Sequence, residues 1–260
     1  MKKRLFVCIL LTLVLIVGGG MSVLGDDIQV VALMYHNVTE DESSHSDWCI
    51  SPAELDADIG YFIDQGYITM TATELATADI NTLYGKKILL LTFDDGYTGF
   101  YTKALPVLQK YQAKATMFVI SSYIDRYGYL SKEQVKALSD SGLVEIGNHT
   151  DRLHQKSYEE LNLLYKNYAI FDEIVQDIRS NGQIISQMTG KSVTSMSYPY
   201  GLYTSQLDEA VKKELGYKIS FSTKYGVIHY NGKTSVPFNR INREHGLSPQ
   251  DLHARIMSLW

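Results

Sequence analysis

Residues 89–99 read LLLTFDDGYTG, an apolar run that ends on two adjacent carboxylates and a glycine. The run from Lys87 to Leu91 has the character of a short strand covered on both faces, as strands of a parallel sheet are. Asp94 and Asp95 then stand at the C-terminal end of that strand, where α/β folds carry their chemistry. Two neighbouring carboxylates repel, and they lose hydration on burial, unless a cation or a proton holds them. Asp-Gly is also a common turn dipeptide, so this stretch alone leaves a plain turn open. The surrounding chain decides between the two.

Upstream, IQVVALMYHNV (28–38) reads as a strand ending in Tyr35-His36-Asn37. SPAELDADIGYFIDQG (51–66) reads as a helix, with Ser51 as cap, Pro52 at the first position, Glu54 completing a capping box and Gly66 as the stop. YITMT is a short strand, and Glu74 opens a brief helical piece. Strand 87–93, helix 97–112, strand 114–120, helix 131–141 and strand 143–150 follow. A long helix is expected over 157–189. Strand 193–201, helix 204–215 and strand 217–223 then complete the regular part. Strands alternating with helices predict a parallel sheet with right-handed crossovers. With six or seven such units, a closed or nearly closed barrel is favoured over an open sheet.

The chain has 260 residues, 45% of them apolar and 20% charged, an ordinary globular composition. Its first residues are not ordinary. Lys2, Lys3 and Arg4 precede an uncharged stretch from Leu5 to Gly25, the pattern of a secretory signal with a cut after Gly25. Left uncleaved, the same run is long enough to serve as an N-terminal membrane anchor. The expectation is therefore an exported or cell-surface protein, with one domain over 26–260 and no linker or repeat inside it. Loss of residues 1–25 removes three positive charges and no negative ones, taking the formal charge from −5 to −8. An acidic domain without a basic run argues against nucleic acid as a partner. Cys49 is the sole cysteine left, so no disulfide forms within the chain, and a monomer is expected.

Four strand ends carry unusual polar residues: His36, the Asp94-Asp95 pair, the His149/His154 pair in NHTDRLH, and SYPYG (197–201). In a parallel α/β fold these ends converge on one face. Two imidazoles and one carboxylate make a three-ligand site with an open position, the composition of catalytic zinc centres. A lone histidine after a strand is otherwise most often a hydrogen-bonded structural residue.

TFDDG, the spaced histidine pair, PYG and the first-strand LMYHNV together resemble the polysaccharide deacetylases, carbohydrate esterases that share the chitooligosaccharide-deacetylase homology domain. KATMFVI and VEIGNHT fit the same pattern, and the resemblance spans roughly residues 28–245. It implies a distorted (β/α)₇-type barrel and a single divalent metal ion, zinc being the expected one. By the same resemblance Asp95, His149 and His154 are the metal ligands, Asp94 is the general base, and the backbone amide of Tyr200 is the oxyanion donor. The departures are informative. The histidines are spaced H-x-x-x-x-H rather than H-x-x-x-H, and Ser197 stands where the family has the arginine that braces the base. The family's tryptophan motif and its late Leu-x-His, source of the usual acid, have no clear match. Longer spacing, YPYG and MYH together look like the poly-β-1,6-N-acetylglucosamine deacetylase branch, where the first-strand histidine is the acid. That implies His36.

The implied activity is removal of N-acetyl groups from an N-acetylglucosamine polysaccharide, an exopolysaccharide or a cell-wall glycan. An amide is a poor electrophile, so its hydrolysis calls for a Lewis acid, a base, a fixed N–H and an acid together. Tyr35, Tyr198, Tyr200 and Tyr203 are candidate sugar-stacking residues, and Arg240 is a candidate replacement for the bracing arginine. His45, His229, His245 and His253 are read as loop or helix residues without chemistry. The sequence leaves two rivals, a carbohydrate-binding protein that has lost turnover and a metal-dependent amidase of a non-sugar substrate. The common zinc-peptidase signature H-E-x-x-H is absent.

Overall fold

The computed structural model describes residues 28–260. The expected leader or anchor at residues 1–25 lies outside the described residues. Among those described, no helix is long and apolar enough to cross a membrane.

The strands are β1 (Gln29–Tyr35), β2 (Asn37–Val38), β3 (Cys49–Ile50), β4 (Tyr67–Thr69), β5 (Lys87–Phe93), β6 (Ala115–Val119), β7 (Val144–Asn148), β8 (Ser195–Ser197), β9 (Ile219–Tyr225), β10 (Ile228–His229) and β11 (Phe238–Asn242). The helices are α1 (Pro52–Asp64), α2 (Ala72–Thr77), α3 (Leu105–Tyr111), α4 (Lys132–Asp140), α5 (Tyr158–Tyr165), α6 (Phe171–Thr189), α7 (Ser205–Glu214) and α8 (Pro249–Met257). Seven strands form a closed ring in the order β1, β11, β9, β8, β7, β6, β5, with β5 returning to β1. Every pairing in that ring is parallel. This is the expected (β/α)₇-type barrel. β4 and β10 add to the outside of β5 and β1, and β2 and β3 form a separate two-stranded pair.

The period-2 alternation of each strand divides the core into two layers. Val30 and Ala32, Ile88 and Leu90, Phe118, Ile219 and Phe221, and Phe238 meet one another inside the ring. Their neighbours Val31, Leu33, Leu89, Leu91, Ala115, Met117, Val144 and Ile146 face outward against Leu55, Ile59 and Phe62 of α1 and Leu108, Val135 and Leu138 of α3 and α4. The inward parity, carried to the strand ends, falls on His36, Asp94, His149, Ser197 and Arg240. The apolar patterning that builds the barrel thereby aims these polar groups at its mouth.

Helix α1 begins as its sequence indicates, with both hydrogen bonds of the Ser51/Glu54 capping box formed. The single helix expected over 157–189 is two, because Asn167 takes the Ala169 N–H onto its side chain between α5 and α6. Such local side-chain capture competes with the helix ladder. Regular structure also continues past residue 223. β11 completes the ring between β9 and β1, and α8 starts at the Ser248 cap with Pro249 in its first turn.

Candidate active site

Asp94 and Asp95 leave β5 in different backbone states, which points their side chains differently. Asp95 has φ 75° and Gly96 has φ 83°, so two successive left-handed residues turn the chain sharply at the barrel mouth. An aspartate tolerates that region better than most residues, at a cost on the order of 1 kcal/mol. The Asp94 N–H is held by the Tyr35 carbonyl at 3.0 Å, which fixes the turn to β1.

Asp94 is buried and fully engaged. Arg240 grips it with two bonds, Nη1 to Oδ1 at 2.8 Å and Nη2 to Oδ2 at 2.7 Å. The same guanidinium donates to Ser197 Oγ at 2.8 Å, and that hydroxyl donates onward to Asp94 Oδ2 at 3.1 Å. Arg240 Nε is taken by the Ser222 carbonyl at 2.9 Å. Burial alone would raise the Asp94 carboxyl, but Arg240 and His149 overcome it and hold the group well below the usual carboxylate range. The arginine that brackets Asp94 therefore arrives from β11, and Ser197, the position where the sequence resemblance implies an arginine, is its partner.

Asp95 faces the two imidazoles. Its Oδ1 lies 3.4 Å from His149 Nε2 and 3.4 Å from His154 Nε2, and the three ligand atoms all fall within 4.8 Å of one another. His149 Nδ1 donates to the Ser197 carbonyl oxygen at 2.7 Å and turns Nε2 towards Asp95; burial lowers the basicity of this ring, but Asp94 and Asp95 outweigh that and raise it. Burial and then the neighbouring His149 push His154 down to about 4, so this ring is neutral at neutral pH. Among the described residues, Asp95 Oδ1 is itself buried without a hydrogen-bond donor. A carboxylate oxygen and two imidazole nitrogens converging in a buried pocket form the donor set of a divalent-cation site. The residues fit a metal ion.

The extra residue between the histidines is absorbed by the loop that carries them. Thr150 turns with φ 68°, and a 3₁₀ turn over Leu153–Gln155 brings His154 back to the pocket. Asp177 of α6 anchors the loop, accepting the N–H groups of Asp151 and Arg152 at 2.9 and 2.8 Å. Tyr200 also has a left-handed backbone, φ 54°, and its carbonyl is taken by the Thr223 hydroxyl at 3.1 Å. Gly201 lies so close to β9 that a Cβ there would meet Thr223 N at 2.4 Å, so only glycine lets this turn seat.

A cavity of about 540 Å³ joins these groups, lined by His36, Trp48, Asp94, Asp95, Tyr97, His149, His154 and Tyr200, with Asn37, Ser44, Ser46, Cys49 and Thr223 around them. His36 is the one imidazole of this lining outside the three-ligand set. Burial lowers its basicity against the pull of Asp94 and Asp95, and its Nδ1 is buried without a partner among the described residues. His245 instead pairs with Glu54 at 2.8 Å, and His253 lies between the Tyr61 and Tyr67 hydroxyls. Of the tyrosines read as sugar contacts, Tyr35 and Tyr198 are buried and bonded to Asp58 and Asp208. Tyr203 is exposed but stacks on Tyr198, outside the cavity.

Residues 83–220 match the family model for polysaccharide deacetylase, which is more than half of the chain. The chain belongs to the polysaccharide deacetylase family. Members of that family are hydrolases acting on N-acetyl amide bonds. This deacetylase is 30% identical over 231 residues to Bacillus subtilis YxkH, a protein named for the same family, covering 87% of this chain and 76% of that one. It is 26% identical over 180 residues to the Staphylococcus aureus poly-beta-1,6-N-acetyl-D-glucosamine N-deacetylase, covering 67% of this chain and spanning 61% of the relative's length. Among solved structures, IcaB from Ammonifex degensii superposes with a TM-score of 0.72 at 25% identity, covering 88% of this chain and 96% of that one. The Streptococcus pyogenes deacetylase PplD shares the fold, with a TM-score of 0.72 at 24% identity over 88% of this chain and 98% of that one.

Proposed function

We propose that this chain is an exported, metal-dependent N-deacetylase of an N-acetylglucosamine polysaccharide. The observation that carries the reading is the convergence of Asp95, His149 and His154 beside an arginine-clamped Asp94, inside one cavity at the barrel mouth. The sugar is proposed from the relatives, since the Staphylococcus aureus homologue is named for poly-β-1,6-N-acetylglucosamine. Export rests on the N-terminal Lys2-Lys3-Arg4 and the uncharged run after it.

Asp95, His149 and His154 would hold the divalent ion, zinc being expected, and when bound it would supply Lewis-acid polarisation of the amide and acidification of a water. The chain's own groups do the rest. Asp94, kept ionised by Arg240 and oriented by Ser197, takes a proton from the attacking water. The Tyr200 N–H is the donor for the oxygen on which negative charge develops. That developing charge favours the protonated form of His36, which then gives its proton to the departing amine.

The test is acetate release from a panel of N-acetylglucosamine polymers, with and without a chelator. Release that a chelator abolishes and added zinc restores is the expected result. No release from any polymer, or release indifferent to the chelator, removes this reading.

A further inference from the structure

We propose that Trp48 is the platform on which a sugar ring of the substrate stacks; this rests on the polysaccharide reading above. Trp48 is 53% exposed, the kind of large aromatic a fold ordinarily covers, and it forms part of the catalytic cavity wall. Its ring meets His36 at 4.8 Å and 77°, which places the indole directly beside the proposed acid. An N-acetylated ring lying on that indole would have its amide nitrogen within the reach of His36.

The indole is not on a loose loop. The Trp48 carbonyl accepts from Asn37 N at 3.1 Å, and its N–H donates to Ser46 Oγ at 3.3 Å. The preceding Asp47 carbonyl is held by Asn242 Nδ2 at 3.0 Å, and the following Cys49 is buried in the β2–β3 pair. A rigid aromatic face exposed to solvent loses little conformational entropy when a ligand covers it.

The chemistry around the indole selects the ligand. Ser44, Ser46 and Asn37 line the same wall and offer polar atoms to hydroxyls at the edge of a ring whose apolar C–H face rests on the indole. Among the described residues, no lysine or arginine lines the cavity, and its acidic residues are Asp94 and Asp95. An anionic sugar would find no cationic side chain on the cavity lining to pair with. The site therefore fits a neutral N-acetylhexosamine rather than a uronic acid or a phosphorylated glycan. Tyr200, 40% exposed and 5.0 Å from the His154 ring, stands on the cavity wall beside the metal ligands.

Three substitutions separate stacking from packing. Trp48→Phe keeps a flat face, Trp48→Leu keeps bulk beside His36 without one, and Trp48→Ala keeps neither. With an N-acetylglucosamine tetramer, the leucine and alanine variants should raise KM about five- to tenfold, while phenylalanine stays within about threefold of wild type. Leucine matching phenylalanine would overturn the proposal, because bulk alone would then suffice. A second readout needs no turnover. The chain's two tryptophans are Trp48 and Trp260, so Trp260→Phe leaves Trp48 as the sole indole emitter. With chelator present, the tetramer should shift that emission to the blue, and glucuronic acid oligomers should not. Acetate release without any emission shift would overturn the platform. An emission shift without acetate release would leave the platform standing and remove the deacetylation reading instead.

Discussion

Asp94 and Asp95 are neighbours in sequence that face different partners, a guanidinium for one and two imidazole rings for the other. That difference predicts separable defects. Asp94→Asn should retain zinc near wild-type stoichiometry and lose turnover by about 10²–10⁴-fold, the usual cost of removing a general base. Asp95→Asn should lose zinc itself, read by metal analysis after dialysis. Equal metal loss in the two variants would mean that the pair has been assigned the wrong way round. Arg240 makes a sharper case, because it is fully buried and forks across both oxygens of Asp94. Arg240→Ala would strand a buried carboxylate and should cost about 3–5 kcal/mol in urea unfolding. Arg240→Lys restores a charge but not the fork, so it should recover part of the stability and little of the turnover. Wild-type turnover in the lysine variant would show that the bidentate geometry is not needed.

At the scale of elements, the proposed ligands His149 and His154 depend on a loop that does not hold itself. Residues 149–155 reach His154 through a left-handed Thr150 and a 3₁₀ turn, and their backbone is pinned by Asp177 on α6. Asp177→Ala should therefore weaken zinc binding about 10–100-fold, the range for lost supporting contacts around a metal site, while leaving Asp95 and His149 in place. Zinc affinity measured by competition with a chromogenic chelator would check this, and unchanged affinity would show that the loop needs no anchor. This dependence also marks what the sequence could convey. Apolar runs, Ser-Pro caps and glycine stops are local signals, so the strand–helix alternation, the closed barrel and the four chemistry-bearing strand ends were legible. Asp177 was not, because its role is to bind another segment's backbone 25 and 26 residues away. β11 was not, because VPFNRIN places Asn239, Arg240 and Asn242 in a short run and its register against β9 shifts between Phe238 and Arg240. Trp48 escaped for the same reason, since only the fold sets it against His36.

For the molecule as a whole, the last residues close the structure that the first ones begin. β11 inserts between β1 and β9, and the segment after it is tied back to α1 by charge. Arg243 and Asp58, both buried, pair at 2.7 and 3.1 Å, with the Tyr35 hydroxyl also on Asp58. Glu54 makes the second tie. It completes the α1 capping box through Ser51 N at 2.9 Å and reaches across to Gly246 N at 2.7 Å and His245 at 2.8 Å. Partial burial would raise the Glu54 carboxyl, but the Ser51 and Gly246 N–H groups and His245 outweigh it and bring the group down to about 2 from its ordinary 4.5. A folded-state value below the unfolded one means that the carboxylate stabilises the fold above pH 4.5. That contribution is lost as pH falls from 4.5 towards 2. Allowing for solvent screening, it is worth about 1 kcal/mol. Glu54→Gln should therefore lower stability by about that amount at pH 7, and the gap to wild type should narrow steadily below pH 4.5. Urea midpoints taken from pH 7 to pH 3 would follow it. A gap that persists undiminished at pH 3 would mean that the carboxylate's charge contributes nothing, and that the barrel is closed at this seam by shape alone.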